Sequence, residues 1–263
     1  LINSVSIREY DFTHDKTIVK YIFEMKYTEI RLEDSLVELL EIEGYIYSIN
    51  DLQDSLYHGI IRSDLERFLY RQYPSLSSVE LEQIVKTLTS HSISDLEKSN
   101  NQIVKLLTCG FSLERENLHS ESLYIRYIDC NAATCATSNI FRIKECSQTT
   151  KNGGHHPDII VFVNGIPIVV IECKKLLLAY DRFSDQSPRM DQLKESIPSL
   201  MQYCIFYAIT DRHHCKLGLP FKHDNLFKKY GIVDVESEAC VLPRLFSDIF
   251  TKKKFCSIIQ SLG

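Results

Sequence analysis

The sequence lacks any long hydrophobic run. Its 263 residues are 44% hydrophobic and 25% charged, which is ordinary for a soluble globular protein. No apolar segment approaches the ~20 residues that a membrane-spanning helix requires. The N-terminal letters LINSVSIREYDF also lack the pattern of a signal peptide. We therefore predict a soluble, cytoplasmic protein with no membrane partner, long enough for one large domain.

Paired cysteines are also missing. The nine cysteines include no CxxC pair, and the closest two, Cys130 and Cys135, are too far apart for a usual zinc knuckle. An odd number of cysteines in so large a chain favours buried free thiols over a disulfide scaffold. The adjacent histidines His155 and His156 are weak metal ligands, because neighbouring residues on a strand or helix point in different directions. The pattern disfavours structural zinc.

The chain has no excess of basic residues and no GxxxxGK[ST] loop. A net charge of −5 argues against broad nonspecific affinity for nucleic acid, because Lys and Arg supply that affinity. The net charge does not exclude a local cluster of basic residues, and one is present at Lys174-Lys175, Arg182, Arg189 and Lys194. This cluster is either a solvated face or a DNA contact. Without a phosphate-binding loop, this chain should not itself hydrolyse ATP.

Residues 155–175 contain two apolar, β-branched runs, 159–163 and 168–171, separated by Asn164-Gly165-Ile166-Pro167. Such runs around an Asn-Gly dipeptide predict a β-hairpin. Because the runs are continuously apolar rather than alternating, both faces of the hairpin should be buried in the middle of a sheet.

Three charged residues stand at the open end of this hairpin. A three-residue loop at 164–166 would place Asp158 opposite Glu172, roughly 5 Å apart at Cβ, while Glu172 and Lys174 would share a face. Two such carboxylates repel unless a cation lies between them, and Mg²⁺ is commonly bound by one or two carboxylates with phosphate oxygens. A lysine there can position water and offset phosphate charge. The pattern predicts metal-assisted phosphodiester hydrolysis; a buried hairpin that merely ends in solvated charges is the alternative.

Residues 157–174, PDIIVFVNGIPIVVIECK, closely resemble the nuclease motif RPDxxxFVNGxPxxxxExK of the restriction (R) subunit of type I restriction-modification enzymes. That family is a branch of the PD-(D/E)xK nuclease superfamily. The FVNGxP turn lies outside the catalytic triad, so convergence on metal binding does not explain it. The resemblance implies an α/β, restriction-endonuclease-like core with a central mixed β-sheet flanked by helices, and a helical N-terminal region.

The resemblance also implies a site and partners. Asp158, Glu172 and Lys174 would be catalytic, and Asp158, Glu172 and the backbone carbonyl of Cys173 would hold Mg²⁺, for which Mn²⁺ could substitute. The domain would cleave DNA in concert with an ATP-driven translocase outside this chain, so ATP would act only through that absent motor. Its partners would be DNA and the modification and specificity subunits of the complex.

Two positions depart from the family pattern. His156 stands where the family usually has Arg, and a histidine is charged only part of the time near neutral pH. In the QxxxY element of the following helix, Arg189 and Leu193 occupy the Gln and Tyr places, and Gln192 is the nearest glutamine. We expect Lys175, His156, Arg189 and Gln192 to contact DNA.

An accessory residue is suggested by a helix at Glu29–Glu43, whose leucines recur at helical spacing and which Gly44 should end. TEIRLEDSLVELLEIEGY resembles the first helix of the family's nuclease domain, whose glutamate often lies near the metal. Glu33 is therefore an accessory candidate; a solvent-facing or i,i+4-paired glutamate is the alternative.

The remaining patterns divide one domain, 1–263, into a mainly helical region at 28–108, an α/β core at 109–225 and a helical tail at 226–263 that would lead to the motor. Capping boxes are predicted at Ser63–Glu66 and Ser77–Glu80. Strands are predicted at 111–114, 123–128, 140–143 and 204–210. The apolar residues 18–23 are interpreted as a strand or as a docking segment.

Two other functions fit the sequence. The altered QxxxY element and His156 favour a catalytically degenerate nuclease fold that serves as a subunit-docking or regulatory module. A stand-alone nuclease or resolvase is the third hypothesis.

Overall fold

The computed structural model describes residues 32–48, 56–115, 121–146, 155–173, 187–210, 215–221, 228–230 and 249–262. Its helices are α1 Leu32–Ile42, α2 Arg62–Gln72, α3 Ser78–Thr89, α4 Leu96–Cys109, α5 Cys135–Ser138, α6 Ser187–Ser196, α7 Pro198–Met201 and α8 Lys252–Gln260. Its strands are β1 Ile46–Tyr47, β2 Phe111–Leu113, β3 Leu123–Ile125, β4 Phe141–Glu145, β5 Ile159–Val163, β6 Ile166–Cys173, β7 Phe206–Thr210, β8 Cys215–Gly218 and β9 Lys228–Tyr230. Within these ranges, no helix has both the length and the apolar character needed to cross a membrane.

The central sheet has seven strands in the order β1-β4-β5-β6-β7-β8-β9. The β1–β4 and β6–β7 pairs are parallel and the others are antiparallel. Strands β2 and β3 form a separate antiparallel pair. A central mixed sheet flanked by helices confirms the predicted α/β class and is consistent with a PD-(D/E)xK-like core.

The hairpin β5–β6 occupies the middle of this sheet and is buried on both faces. One face, with Val161 and Val169, packs in the larger core with α1 residues such as Leu40. The other face, with Phe162 and Val170, packs in a second core with residues of α6 and α7. The burial that the continuous apolar runs predicted is confirmed.

The turn of the hairpin differs from the expected loop but keeps the expected register. Asn164 and Gly165 both have positive φ, 51° and 77°, as a two-residue type I′ turn requires. A register shift beside Val161 then adds one residue to β6, so that Ile159 again lies opposite Ile171. The three-residue loop was therefore wrong, but the bulge restores the offset that it implied.

The Asn-Gly dipeptide anchors the far end of the hairpin. The fully buried Asn164 side chain accepts a hydrogen bond from Ile140 N (2.7 Å) and donates one to the Tyr127 carbonyl (2.9 Å). The carbonyl of Gly165 accepts a bond from Ile61 N at 2.8 Å, and a Cβ at Gly165 would come within 2.1 Å of the Ile61 carbonyl oxygen. Asn164 and Gly165 of the FVNG segment thus have a packing role at the turn of the hairpin, at the opposite end from Asp158 and Glu172.

One of the two predicted capping boxes is present. Ser77 and Glu80 exchange both hydrogen bonds at the start of α3. The box at Ser63–Glu66 is wrong, because α2 begins at Arg62 with Ile61 as its N-cap. Ile61 is held at that place by its bond to the hairpin turn, so tertiary contact sets the start of the helix.

Two edge strands, β1 and β9, fall in regions where helix was predicted. They have two and three residues, too few to show a period in the sequence. Gly44 has φ 82° just after α1, as the cap prediction requires. The strand or docking segment at 18–23 lies outside the described residues, and the domain boundaries stay predictions.

Candidate active site

Asp158 immediately precedes β5 and is tied to the end of β6. Its Oδ2 accepts a hydrogen bond from Cys173 N at 2.5 Å, and its carbonyl accepts one from Cys146 N at 2.9 Å. The residue is 8% exposed. The register that pairs Ile159 with Ile171 brings together the strand ends that carry Asp158 and Glu172.

Glu172, on β6, is 2% exposed and forms an ion pair with Arg189 of α6. Arg189 Nε donates to Glu172 Oε2 at 3.1 Å, and Nη2 donates to the carbonyl of His156 at 2.9 Å. Its Nη1 lies 2.6 Å from Nδ1 of His155. One guanidinium therefore neutralises a buried carboxylate and joins α6 to the segment that leads into β5.

A second group of ligand-type atoms lies beside Asp158. One carboxylate oxygen each of Glu33 and Asp158 and Sγ of Cys173 all lie within 4.8 Å of one another. Glu33 lies on α1, far from Asp158 in the chain. The fold nevertheless brings a carboxylate oxygen of this accessory candidate next to one of Asp158. Glu172 is not one of these three residues. Two carboxylates and a thiol are a donor set that fits a divalent cation.

The two predicted metal carboxylates thus face different neighbours. Side chains alternate across β6, so Glu172 shares a face with Val170 and the α6 side, whereas Cys173 projects to the other face. Cys173 packs at the margin of the larger core, to which α1 contributes. Asp158 is tied to the backbone of Cys173 and lies in the group with Cys173 and Glu33.

The other predicted site residues differ in whether the structure describes them and in how exposed they are. Lys174 and Lys175 lie outside the described residues. His156 is half-buried, and its pKa is lowered by burial and by the charges of Lys144 and Arg189, so it is neutral at pH 7. On α6, Gln192 is exposed whereas Leu193, at the Tyr place of QxxxY, is fully buried.

Tyr207 on β7 is a site residue that sequence reasoning missed. It pairs with Val170, which lies two residues before Glu172 on the same face of β6, and it is 1% exposed. Burial and the charge of Glu172 raise its pKa, so its hydroxyl is neutral. Only the register between two parallel strands, which the sequence does not show, brings it there.

Comparison with known proteins agrees with this architecture. Residues 26–224 match the family described as the type I restriction enzyme R protein N terminus. The chain belongs to this family. Every candidate site residue, from Glu33 to Gln192, lies within the matched range.

Two curated proteins are similar to this chain. One, from Methanocaldococcus jannaschii, is named "Putative type I restriction enzyme MjaIXP endonuclease subunit" and is 24% identical over 203 residues, which cover 72% of this chain and 19% of that protein. The type I restriction enzyme HindI endonuclease subunit of Haemophilus influenzae is 27% identical over 177 residues, 66% of this chain and 16% of that protein. The chain therefore spans less than a fifth of either relative.

The two positions at which this chain departs from the family motif are in contact. His156 replaces the usual Arg before Pro157, and Arg189 stands at the Gln place of QxxxY. Arg189 contacts the carbonyl of His156. A guanidinium is therefore present beside the PD motif, although it is supplied by α6.

Proposed function

We propose that this domain is the Mg²⁺-dependent DNA endonuclease domain of a type I restriction enzyme R subunit. It would hydrolyse DNA phosphodiester bonds in concert with an ATP-driven translocase outside this chain. The observation that carries the proposal is the approach of the Glu33 and Asp158 carboxylates at the open end of a buried hairpin that also carries Glu172 and whose motif matches the family. Two relatives that are named endonuclease subunits support it.

The residues divide the chemistry between them. Asp158 and Glu172 would hold the Mg²⁺ with the backbone carbonyl of Cys173, and Glu33 would assist from α1. A bound Mg²⁺ or Mn²⁺ polarises the phosphate and lowers the pKa of bound water. Lys174 positions the attacking water and offsets the charge that develops on the phosphate.

Arg189 has two roles in this proposal. Without DNA it neutralises Glu172, and with DNA it turns to a phosphate oxygen, for which a guanidinium is well suited. Glu172 then becomes available to the metal as the substrate arrives. His156, neutral at pH 7, serves as a hydrogen-bonding group rather than as a cation, and Lys175 and Gln192 extend the DNA contact.

Sequence recognition belongs to other subunits. Base readout needs an element aimed into a groove, and the candidate DNA contacts here are suited to the phosphate backbone. The modification and specificity subunits would bring DNA to this site, and the net charge of −5 is consistent with DNA delivered by partners rather than captured by nonspecific attraction.

Plasmid nicking by the assembled enzyme tests the proposal. Asp158→Ala and Lys174→Ala should each reduce the cleavage rate by about 100-fold or more while ATP hydrolysis by the translocase continues. Asp191→Ala, which removes an exposed carboxylate from α6, is the matched control and should cleave normally. Full cleavage by Asp158→Ala or Lys174→Ala would refute the assignment.

A second candidate function, a docking or regulatory module built on a degenerate nuclease fold, is favoured by the Glu172–Arg189 pair. A guanidinium held permanently against Glu172 would occupy the carboxylate that the metal needs. This candidate predicts that neither Mg²⁺ nor Mn²⁺ binds in calorimetry. Binding that Asp158→Ala removes would exclude it.

A further inference from the structure

Cys173 brings a soft donor into the candidate site. In the family motif the middle position of ExK usually carries an apolar residue, which can offer a metal only its backbone carbonyl. Here the side chain is a thiol, and Sγ lies within 4.8 Å of a carboxylate oxygen of both Glu33 and Asp158. The thiol therefore adds a ligand atom that the motif does not require.

The backbone keeps this sulfur in place. Cys173 ends β6, where it pairs with Thr210 of β7, and its backbone N–H donates to Asp158 Oδ2. Its side chain is partly buried against the larger core. A donor positioned by a strand in the centre of a sheet loses little conformational freedom when it binds an ion.

Ligand type decides which ions such a site prefers. Carboxylate oxygens suit Mg²⁺ and Mn²⁺, whereas a thiolate selects softer ions such as Zn²⁺. We propose that Glu33, Asp158 and Cys173 form a site that binds thiophilic divalent cations, of the class of Zn²⁺ and Cd²⁺, more tightly than Mg²⁺. When the ion binds, the Cys173 thiol loses its proton to solvent and the sulfur–metal bond forms. The inference rests on the proposed function in that Asp158, Glu33 and the backbone of Cys173 also belong to the proposed Mg²⁺ site, to which the thiol adds a ligand.

Cadmium titration of the purified chain, followed by calorimetry and by the ultraviolet sulfur-to-cadmium charge-transfer band, tests the inference. In the wild-type chain the band should saturate at a single equivalent of Cd²⁺. Cys173→Val should abolish it and weaken Cd²⁺ binding by about tenfold or more. Cys109→Ser removes another partly exposed thiol, at the end of α4, and should leave the band unchanged.

Mn²⁺ calorimetry on the same proteins separates this inference from the proposed function. Loss of the Cd²⁺ band in Cys173→Val, with Mn²⁺ binding retained, supports both. A band that survives Cys173→Val overturns the thiophilic site and leaves the nuclease proposal standing. A Cys173-dependent band without any Mn²⁺ binding supports the thiophilic site and counts against the nuclease.

Folding of the variants needs its own control. Valine is β-branched and apolar, so it suits a strand end at which the family usually has an apolar residue. Cys173→Ser should lose the band as well, and circular dichroism should show unchanged secondary structure for both variants. If the folded wild-type chain binds neither Cd²⁺ nor Mn²⁺, both proposals fail.

Discussion

Arg189 Nε lies 3.1 Å from Glu172 Oε2, and the two side chains are 25% and 3% exposed. The carboxylate that the nuclease motif assigns to a metal is thus neutralised by an arginine from the next helix. A buried carboxylate is costly unless it is paired, and Arg189 supplies one such pairing.

Replacing Arg189 should show how much its pair with Glu172 contributes to stability. Arg189→Ala removes the charged hydrogen bond from this guanidinium to the buried Glu172 carboxylate, so we expect a loss of about 2 kcal/mol in the free energy of unfolding. Saturating Mn²⁺ should recover part of the loss, because the ion takes over the role of the guanidinium. Thermal unfolding with and without Mn²⁺ measures both effects, and fluorescence anisotropy should show weaker DNA binding.

The matched control for this variant is Lys194→Ala on the same helix. Lys194 pairs with Asp191 at 3.2 Å, and the two side chains are 21% and 64% exposed. Because the carboxylate of this pair is solvated, whereas Glu172 is buried, removal of the Lys194 charge should cost less than about 1 kcal/mol. An Arg189→Ala protein as stable as the wild type would contradict the structural role of the Glu172 pair.

Glu33 should contribute to metal affinity. Glu33→Gln keeps the shape of the side chain and removes its charge from the Glu33–Asp158–Cys173 group, so the affinity for Mn²⁺ should fall about tenfold. Glu38→Gln removes the same charge from a different side of α1 and serves as the control. Calorimetry measures the Mn²⁺ affinity of both variants. Equal affinities would show that Glu33 is only a solvent-facing or i,i+4-paired glutamate.

Gly165 should be irreplaceable for backbone reasons. Its φ is 77°, and an added Cβ would come within 2.1 Å of the Ile61 carbonyl oxygen, so Gly165→Ala should cost about 3 kcal/mol or more. Gly44 has a similar φ of 82°, but its added Cβ would meet only the end of the flexible Lys252 side chain. Gly44→Ala should therefore cost only about 1–2 kcal/mol. Urea unfolding measures the loss of unfolding free energy in each variant. Equal losses would show that the clash with the Ile61 carbonyl does not destabilise Gly165→Ala.

Acid stability should depend on Glu80. Hydrogen bonds from Arg115, and then from the backbone of Ser77, lower its pKa from 4.5 to about 2. Because the folded-state pKa is the lower one, the stabilisation is fully present above pH 4.5 and is lost as the pH falls towards 2. Glu80→Gln cannot titrate, so its unfolding free energy should fall less steeply over this pH range than that of the wild type.

The control for the acid experiment is Glu82→Gln on the same helix. The Glu82 side chain is 54% exposed and pairs with Arg62. This variant should keep the wild-type pH slope. A wild-type slope in Glu80→Gln would show that the pair with Arg115 contributes nothing to acid sensitivity.

Local patterns explain how much of the fold could be predicted. The β5–β6 hairpin combines two β-branched runs with an Asn-Gly turn, and Ser77 and Glu80 lie three residues apart, so each signal is complete within a short stretch. The start of α2 was missed because Ile61 is held by Gly165, a contact between residues distant in the chain. Edge strands β1 and β9 were missed because they are too short to show a period.

The candidate site divides in the same way. Asp158 and Glu172 were predicted as neighbours because both belong to one hairpin, and their offset survived a wrong loop length because a bulge replaced the missing residue. Glu33 was named from a resemblance, but its approach to Asp158 depends on how α1 packs on the sheet. The pairing of Arg189 with Glu172 depends likewise on where α6 lies.

The sequence by itself determined the buried hairpin, the acidic residues at its open end and the family that the motif indicates, because each of these depends on residues close together in the chain. Only the tertiary structure decided that Glu33 and Cys173 share one group with Asp158, that Arg189 pairs with Glu172 and that Tyr207 lies on the same face of the sheet as Glu172. Those contacts join separate elements, and the packing of helices against a sheet, rather than any local spacing, sets which side chains meet.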